Sequence, residues 1–153
     1  LIPHSIIRAL SNLPIPVYGD GTNMRDWLFV EDHVSALLLL VEKGEVGTTY
    51  TIGGNSVHSN IEIVNSICEI LDKKIARNEG PHANLISFAK DRPAHDFKYS
   101  IDTTLINKKV NWYPVVSLKE GLETTVNWYI NNKNWWQPIL SKYKLKDRIG
   151  LIK

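Results

Sequence analysis

Hydrophobic and polar positions along the chain switch between helical and strand periods, and that switching predicts the order of its elements. Residues 1–12 place Leu1, Ile2, Ile6, Ile7 and Leu10 at near-helical spacing, with Pro3 admissible in a first turn. "NLPIPVYGDG" breaks that helix: two prolines followed by Val17 and Tyr18 predict an extended edge segment, and Gly19-Asp20-Gly21 predicts a turn. "RDWLFV" reads as a short strand. "VEDHVSALLLLVEKG" reads as a helix, with Glu31 and Asp32 near its positive end and Gly44 as its stop. "TTYTIGG" predicts another short strand closed by glycines. "SNIEIVNSICEILDKK" opens on the capping-box pattern Ser59-x-x-Glu62 and carries Ile61, Val64, Ile67, Cys68 and Leu71 on one helical face. Beyond it come a strand in "NLISFAK", a loop in "DRPAHDFKYSID", a helix near 103–110, and a last helix running to about Asn132 behind a second capping box, Ser117-x-x-Glu120. Helices with a few short strands make the class α/β, though four such strands form a poor sheet on their own.

The helix predicted after "RDWLFV" has Leu37, Leu38, Leu39, Leu40 and Val41 in consecutive positions, so apolar side chains point all round it. That pattern suits a helix covered on more than one side. Either a partner domain outside this chain supplies the second cover, or the helix is central within this one; the pattern leaves both open. The chain also starts at Leu1 rather than Met and enters directly on a helix, which reads as a piece of something longer.

Composition changes this picture little. With 153 residues and 43% apolar content the chain can bury a core, and 18 basic against 16 acidic residues give a net charge of only +2. That balance does not by itself point to nucleic acid or membrane partners. Lys142, Lys144, Lys146, Arg148 and Lys153 concentrate positive charge at the end of the chain, where they read as a solvated tail. A single cysteine inside an apolar pattern, no signal peptide, and a longest apolar run of only 36–41 favour a reducing, cytoplasmic setting and a packing role for Cys68.

Candidate chemistry is sparse. Gly19-Asp20-Gly21 and Gly53-Gly54 lack the third glycine and the strand–turn–helix setting of a dinucleotide fingerprint, and no Walker loop or G-x-S-x-G elbow occurs. His4, His33, His58, His82 and His95 lack metal-ligand spacing. Tyr129-x-x-x-Lys133 has the spacing of a short-chain dehydrogenase general base, but an amphipathic helix ending in a cation explains the same pair. Arg25 and Arg92 are more informative. Two loop arginines at strand ends could clamp a diphosphate, because a guanidinium donates in a fork that fits phosphate oxygens. The alternative pairs each with a neighbouring carboxylate: Asp26 for Arg25, Asp91 or Asp96 for Arg92.

The stretch from Pro16 through Gly54, together with "NIEIVNSICEILD", "DRPAHDFKYSID" and "NWYPVVSLKEGLETTVNWYINNKNWW", resembles the C-terminal half of the dTDP-glucose 4,6-dehydratases, extended short-chain dehydrogenase/reductases acting on nucleotide sugars. The pattern R-D-x-x-x-V-x-D is common to that wider superfamily, whereas D-R-P-x-H-D with Y-x-I-D points to the dehydratases. The resemblance implies that residues 1–153 are a substrate-binding C-terminal region whose NAD-binding Rossmann domain lies upstream. It implies substrate contacts at Leu1, at Pro16, Val17 and Tyr18 along the nucleotide, at Arg25 on the diphosphate, and at Asn60. Further contacts fall on Asp91, Arg92, Pro93, Ala94 and His95, and on Tyr143 near the C-terminus. Asn60 would begin a helix whose free N–H groups favour an anion.

No catalytic residue falls within this chain on that resemblance. NAD, the Tyr-x-x-x-Lys pair and the acid/base carboxylates would belong to the upstream domain, so the isolated chain should be inactive. The whole enzyme would convert dTDP-glucose to its 4-keto-6-deoxy product for rhamnose-type deoxysugar synthesis, as a homodimer without nucleic acid or membrane partners. Two departures stand out: Ala94 replaces a usual glycine, and Phe97 a usual arginine. A related epimerase or decarboxylase of the superfamily is the nearest alternative. A nucleic-acid module using the basic tail and exposed Trp135 and Trp136 is a distant one.

Overall fold

The computed structural model describes residues 1–91 and 93–143. The elements run α1 (Ile2–Leu10), β1 (Ile15–Tyr18), β2 (Met24–Asp26), α2 (Val30–Lys43), β3 (Val57–Ser59), α3 (Asn60–Lys74), a 3-10 turn (His82–Leu85), β4 (Ile86–Ala89), α4 (Thr104–Val110), α5 (Leu118–Asn131) and α6 (Lys133–Tyr143). The class is α/β, as the pattern predicts.

The main core is built on α3. Its buried face, Ile63, Val64, Ile67, Cys68 and Leu71, meets α1 and α5, and Ile6, Ala9, Leu122 and Val126 complete the cluster. Both capping boxes form: the Ser59 and Ser117 hydroxyls accept the Glu62 and Glu120 amides, and the two glutamates return to the serine amides at 2.7 and 3.1 Å. Burial raises the Cys68 thiol to about 11, with Asp72 and Glu69 adding to it, so it stays protonated and packs.

The strands form two separate pairs. β1 runs parallel to β4, with Ile15 opposite Ile86, and sends Ile15 and Val17 into the core. The Gly19 amide continues that ladder onto the Ala89 carbonyl at 2.9 Å. Odd-numbered amides of β1 therefore face β4, and Pro16 lies on the opposite edge. β2 is antiparallel to β3, pairing Met24 with Ser59, Arg25 with His58 and Asp26 with Val57. On its other side β2 meets the segment after β4: the Met24 amide donates to the Phe97 carbonyl at 2.7 Å, and the Met24 carbonyl accepts the Tyr99 amide at 3.1 Å.

Three expectations need correction. "RDWLFV" is not one strand. β2 is only as long as its partner β3; beyond it Trp27 turns aside, its indole N–H donating to the His58 carbonyl at 3.1 Å, and Phe29 caps α2. "TTYTIGG" joins no ladder among the described residues, because it lies against the 26–28 segment through its glycines. A Cβ on Gly54 would stand 2.0 Å from the Trp27 carbonyl oxygen, so only glycine fits there. Finally, α5 ends where predicted, but a further helix, α6, follows it. It buries Trp136, whose indole N–H donates to the Tyr129 carbonyl at 2.9 Å, so Trp136 is not the exposed aromatic that the nucleic-acid alternative needed.

α2 is peripheral rather than central. Ala36 packs with Ile106, Val110 and Trp112, and Leu39 and Leu40 lie partly buried against them. Asp32 accepts the Val115 and Val116 amides at 3.1 and 2.9 Å, tying the helix to the loop before α5. The opposite face, Val30, Val34, Leu37, Leu38 and Val41, is exposed, up to 89% at Val41. Its apolar stripe continues through Val30 into a cavity of about 780 Å³ lined by Ile2, Trp27, Phe29, Val116 and Tyr129.

Candidate functional site

Strand geometry decides what Arg25 can touch. Neighbouring residues of a strand point to opposite faces, so Arg25 and Asp26 separate. The Asp26 carboxylate turns back to accept the Ser56 amide at 2.9 Å. The guanidinium instead fans across the loop that follows β4. Its Nη1 donates to the Met24 and Phe97 carbonyls at 2.6 and 3.4 Å, and its Nη2 to the Asp96 carbonyl at 3.0 Å. Nη2 also lies 2.9 Å from His95 Nε2, and the guanidinium carbon stands 4.6 Å from the centre of the Tyr99 ring. No salt bridge joins Arg25 to a carboxylate among the described residues. A cation held by neutral acceptors and an aromatic face keeps its charge available for an anion. The expected local pairing of Arg25 with Asp26 is therefore replaced by carbonyl ligation.

The same loop gathers some of the other expected residues. β1 and β4 run side by side, so Tyr18 and the turn after it reach Asp91. Gly19 has φ +61°, and a Cβ there would lie 3.3 Å from Asp91 Oδ2. The Asp20 carboxylate fixes that turn by accepting the Thr22 hydroxyl and amide, bonds that hold it below the usual carboxylate range. His95 Nδ1 is 2.7 Å from Asp91 Oδ1. Asn23 joins the two sides: its carbonyl accepts the Asn60 amide at 2.9 Å, and its side chain reaches the Asp96 carbonyl at 3.4 Å.

Not every expected residue is placed as the resemblance implies. Val17 is buried in the core with its backbone turned toward β4, and Pro16 sits beside it on the strand edge. Leu1 caps α1, outside the hydrogen-bond network of Arg25. The amides at the start of α3 are already taken: Asn60 and Ile61 donate to the Asn23 and Gly21 carbonyls, and Glu62 to the Ser59 hydroxyl. Free N–H groups therefore do not make an anion site there, and the Asn60 side chain is what remains to offer. The Ser59 hydroxyl also holds Glu62 below the usual carboxylate range, with the Ser59 amide adding to it. Arg92 and the side chain of Tyr143 lie outside the described residues.

The Tyr129–Lys133 pair is divided by the break between α5 and α6, and burial raises the Tyr129 phenol, which agrees with packing rather than a general base. Among the described residues no group of His, Cys, Asp or Glu side chains is arranged to hold a metal ion.

Phe97 and Ala94 acquire physical meanings. The Phe97 side chain is exposed, and the residue serves through its carbonyl, so the arginine usual there is not needed to hold the loop. Ala94, at φ +53°, stands in the left-handed region that glycine enters freely. Ala94→Gly should therefore stabilise the chain by about 1 kcal/mol and raise Tm by about 2–4 °C in a thermal melt.

Residues 1–125 match the family of GDP-mannose 4,6 dehydratase. The chain belongs to that family. Within this dehydratase family it is 45% identical to dTDP-glucose 4,6-dehydratase of Neisseria meningitidis, over 98% of this chain and 43% of the relative. The crystal structure of dTDP-glucose 4,6-dehydratase from Bacillus anthracis in complex with NAD superposes with a TM-score of 0.80 at 38% identity, over 91% of this chain and 42% of that one. The likeness extends to UDP-glucose 4-epimerase from Thermotoga maritima with UDP-glucose, at a TM-score of 0.72 and 27% identity, over 84% of this chain and 38% of that one. The chain thus spans about 43% of the length of the curated dehydratase it matches.

Residues that the sequence reading passed over include Asn23, His58 and Tyr99. Tyr99 lay in the quoted Y-x-I-D pattern, and Asn23 stands two positions before Arg25; only their placement around the guanidinium gives them roles.

Proposed function

We propose that this chain is the substrate-binding part of a dTDP-glucose 4,6-dehydratase and that it holds the diphosphate of dTDP-glucose at Arg25. The observation that carries the reading is the Arg25 guanidinium, oriented by three carbonyls and a histidine and joined to no carboxylate among the described residues. His95 and Asp96 contact it and Asp91 lies behind His95; on the family resemblance Tyr18, Asn60 and Arg92 add substrate contacts, Arg92 as a second guanidinium. Higher identity to the dehydratase than to the epimerase favours dTDP-glucose over a UDP-sugar.

An NAD-binding part would complete the enzyme and its NAD would supply hydride-transfer chemistry at the sugar, while this chain would hold the nucleotide-diphosphate end of the substrate. The sequence itself has no Gly-rich fingerprint with which to hold that cofactor. The exposed stripe of α2 and the adjoining cavity are the apolar surface that such a part would cover. The chain alone then binds nucleotide without turnover.

Calorimetric titration tests this. dTDP should bind about fourfold more tightly than dUDP, which lacks only the thymine methyl group, the share of one buried methyl. Added dTDP-glucose and NAD should give no 4-keto product. Failure of both nucleotides to bind, or turnover by the chain alone, overturns the proposal.

A further inference from the structure

Taking the diphosphate site at Arg25 as its basis, we propose that His95 is a positioning residue which aims Arg25 through an unprotonated Nε2, and that protonation of its ring disengages Arg25.

The geometry leaves one arrangement of protons. A guanidinium has donors only, so the 2.9 Å approach of Arg25 Nη2 requires a lone pair on His95 Nε2. A neutral imidazole then carries its proton on Nδ1, and Asp91 Oδ1 stands 2.7 Å away to accept it. Asp91 therefore selects the tautomer, and the tautomer presents an acceptor to Arg25. Both ring nitrogens are engaged, and the side chain is only 9% exposed. His95 thus acts on the bound diphosphate through Arg25.

The other anchors of Arg25 show what His95 adds. Nη1 is held by the Met24 and Phe97 carbonyls, so His95 and the Asp96 carbonyl together fix the second arm of the fork. Without the imidazole that arm keeps a single partner and can swing on it.

Protonation inverts the contact. The ring then donates from both nitrogens and places a second positive charge against the guanidinium, while Asp91 holds the imidazolium. Among the described residues, the titratable and charged groups around this contact are Arg25 and its cross-strand neighbour His58 from β2 and β3, Asp20 from the turn after β1, and Asp91, Asp96 and Tyr99 from the loop after β4. Of these, Asp20 is bound to Thr22 and Asp96 to the Tyr99 hydroxyl, leaving Asp91 as the carboxylate paired with the ring.

Nitrogen-15 NMR of the full chain reads the tautomer directly. Above the titration of the ring, His95 should show a protonated Nδ1 and an unprotonated Nε2, and the Arg25 guanidinium resonances should shift as the ring takes a proton. Calorimetry with dTDP then gives the functional consequence. As His95 protonates, wild-type affinity should fall about tenfold beyond the change in His95→Gln, the least that losing a charged hydrogen bond brings. His95→Gln keeps an oxygen for Arg25 but cannot titrate. It should match wild type within about threefold at high pH, whereas His95→Ala loses about tenfold there while keeping its circular dichroism spectrum. The terminal phosphate of dTDP titrates equally in every titration, so the difference between proteins is what counts. An Nε2–H tautomer, Arg25 resonances indifferent to the ring, or equal pH steps in wild type and His95→Gln overturns the proposal. A wild type that binds no dTDP at any pH overturns the diphosphate reading instead, and the NMR result still decides the His95–Arg25 contact.

Discussion

Replacing Arg25 by alanine is expected to weaken dTDP binding about 30- to 700-fold, equivalent to about 2–4 kcal/mol. The magnitude follows from the state of the guanidinium. It is oriented before the ligand arrives, and its partners are carbonyls, an imidazole and a ring face, so little charge must be unpaired when phosphate oxygens approach. Arg25→Lys keeps the charge and loses the fork, and it should recover only part of the affinity. The same side chain also ties β2 to the loop after β4, so the titration is paired with a thermal melt. A large fall in Tm with dTDP affinity unchanged in the folded fraction would leave Arg25 a structural tie and remove the site.

Ile67→Ala should cost about 3 kcal/mol and lower Tm by about 6–12 °C. Ile67 is fully buried at the centre of α3, where the helix meets α1 and α5, and neighbouring side chains can only partly collapse into the space it leaves. The informative comparison is Val41→Ala on α2, which removes apolar surface from a position 89% exposed and should leave Tm unchanged. Equal losses in the two variants would mean that the stripe on α2 is covered in solution by another copy of the chain.

What the sequence reveals depends on how local its physics is. α3 and α5 announce themselves because a capping box and a one-sided apolar face both lie within a single segment. The strands are harder, since a strand ends where its partner ends: β2 stops at Asp26 because β3 offers three residues, and no property of Trp27, Leu28 or Phe29 encodes that. "TTYTIGG" has strand composition and no ladder partner among the described residues. α6 escapes notice because Pro138 and a run of polar residues mask Trp136, the buried anchor among its described side chains.

At the site, the residue types and their clustering were legible, and the bonds were not. Placing β2 at Met24–Asp26 would have separated Arg25 from Asp26 by strand parity alone. Linking Arg25 to His95 requires the chain to close a loop of some seventy residues, and only the fold supplies that.

The placement of Pro16 bears on how the chain behaves in a crowd. A two-stranded sheet has open edges, and an open edge is a template onto which another polypeptide can add a strand and begin a fibre. On β1 the outward positions are 16 and 18, and at the first of them proline has no N–H to offer and a ring that obstructs close approach. Pro16 thereby keeps the outer flank of β1 from inviting intermolecular β-addition.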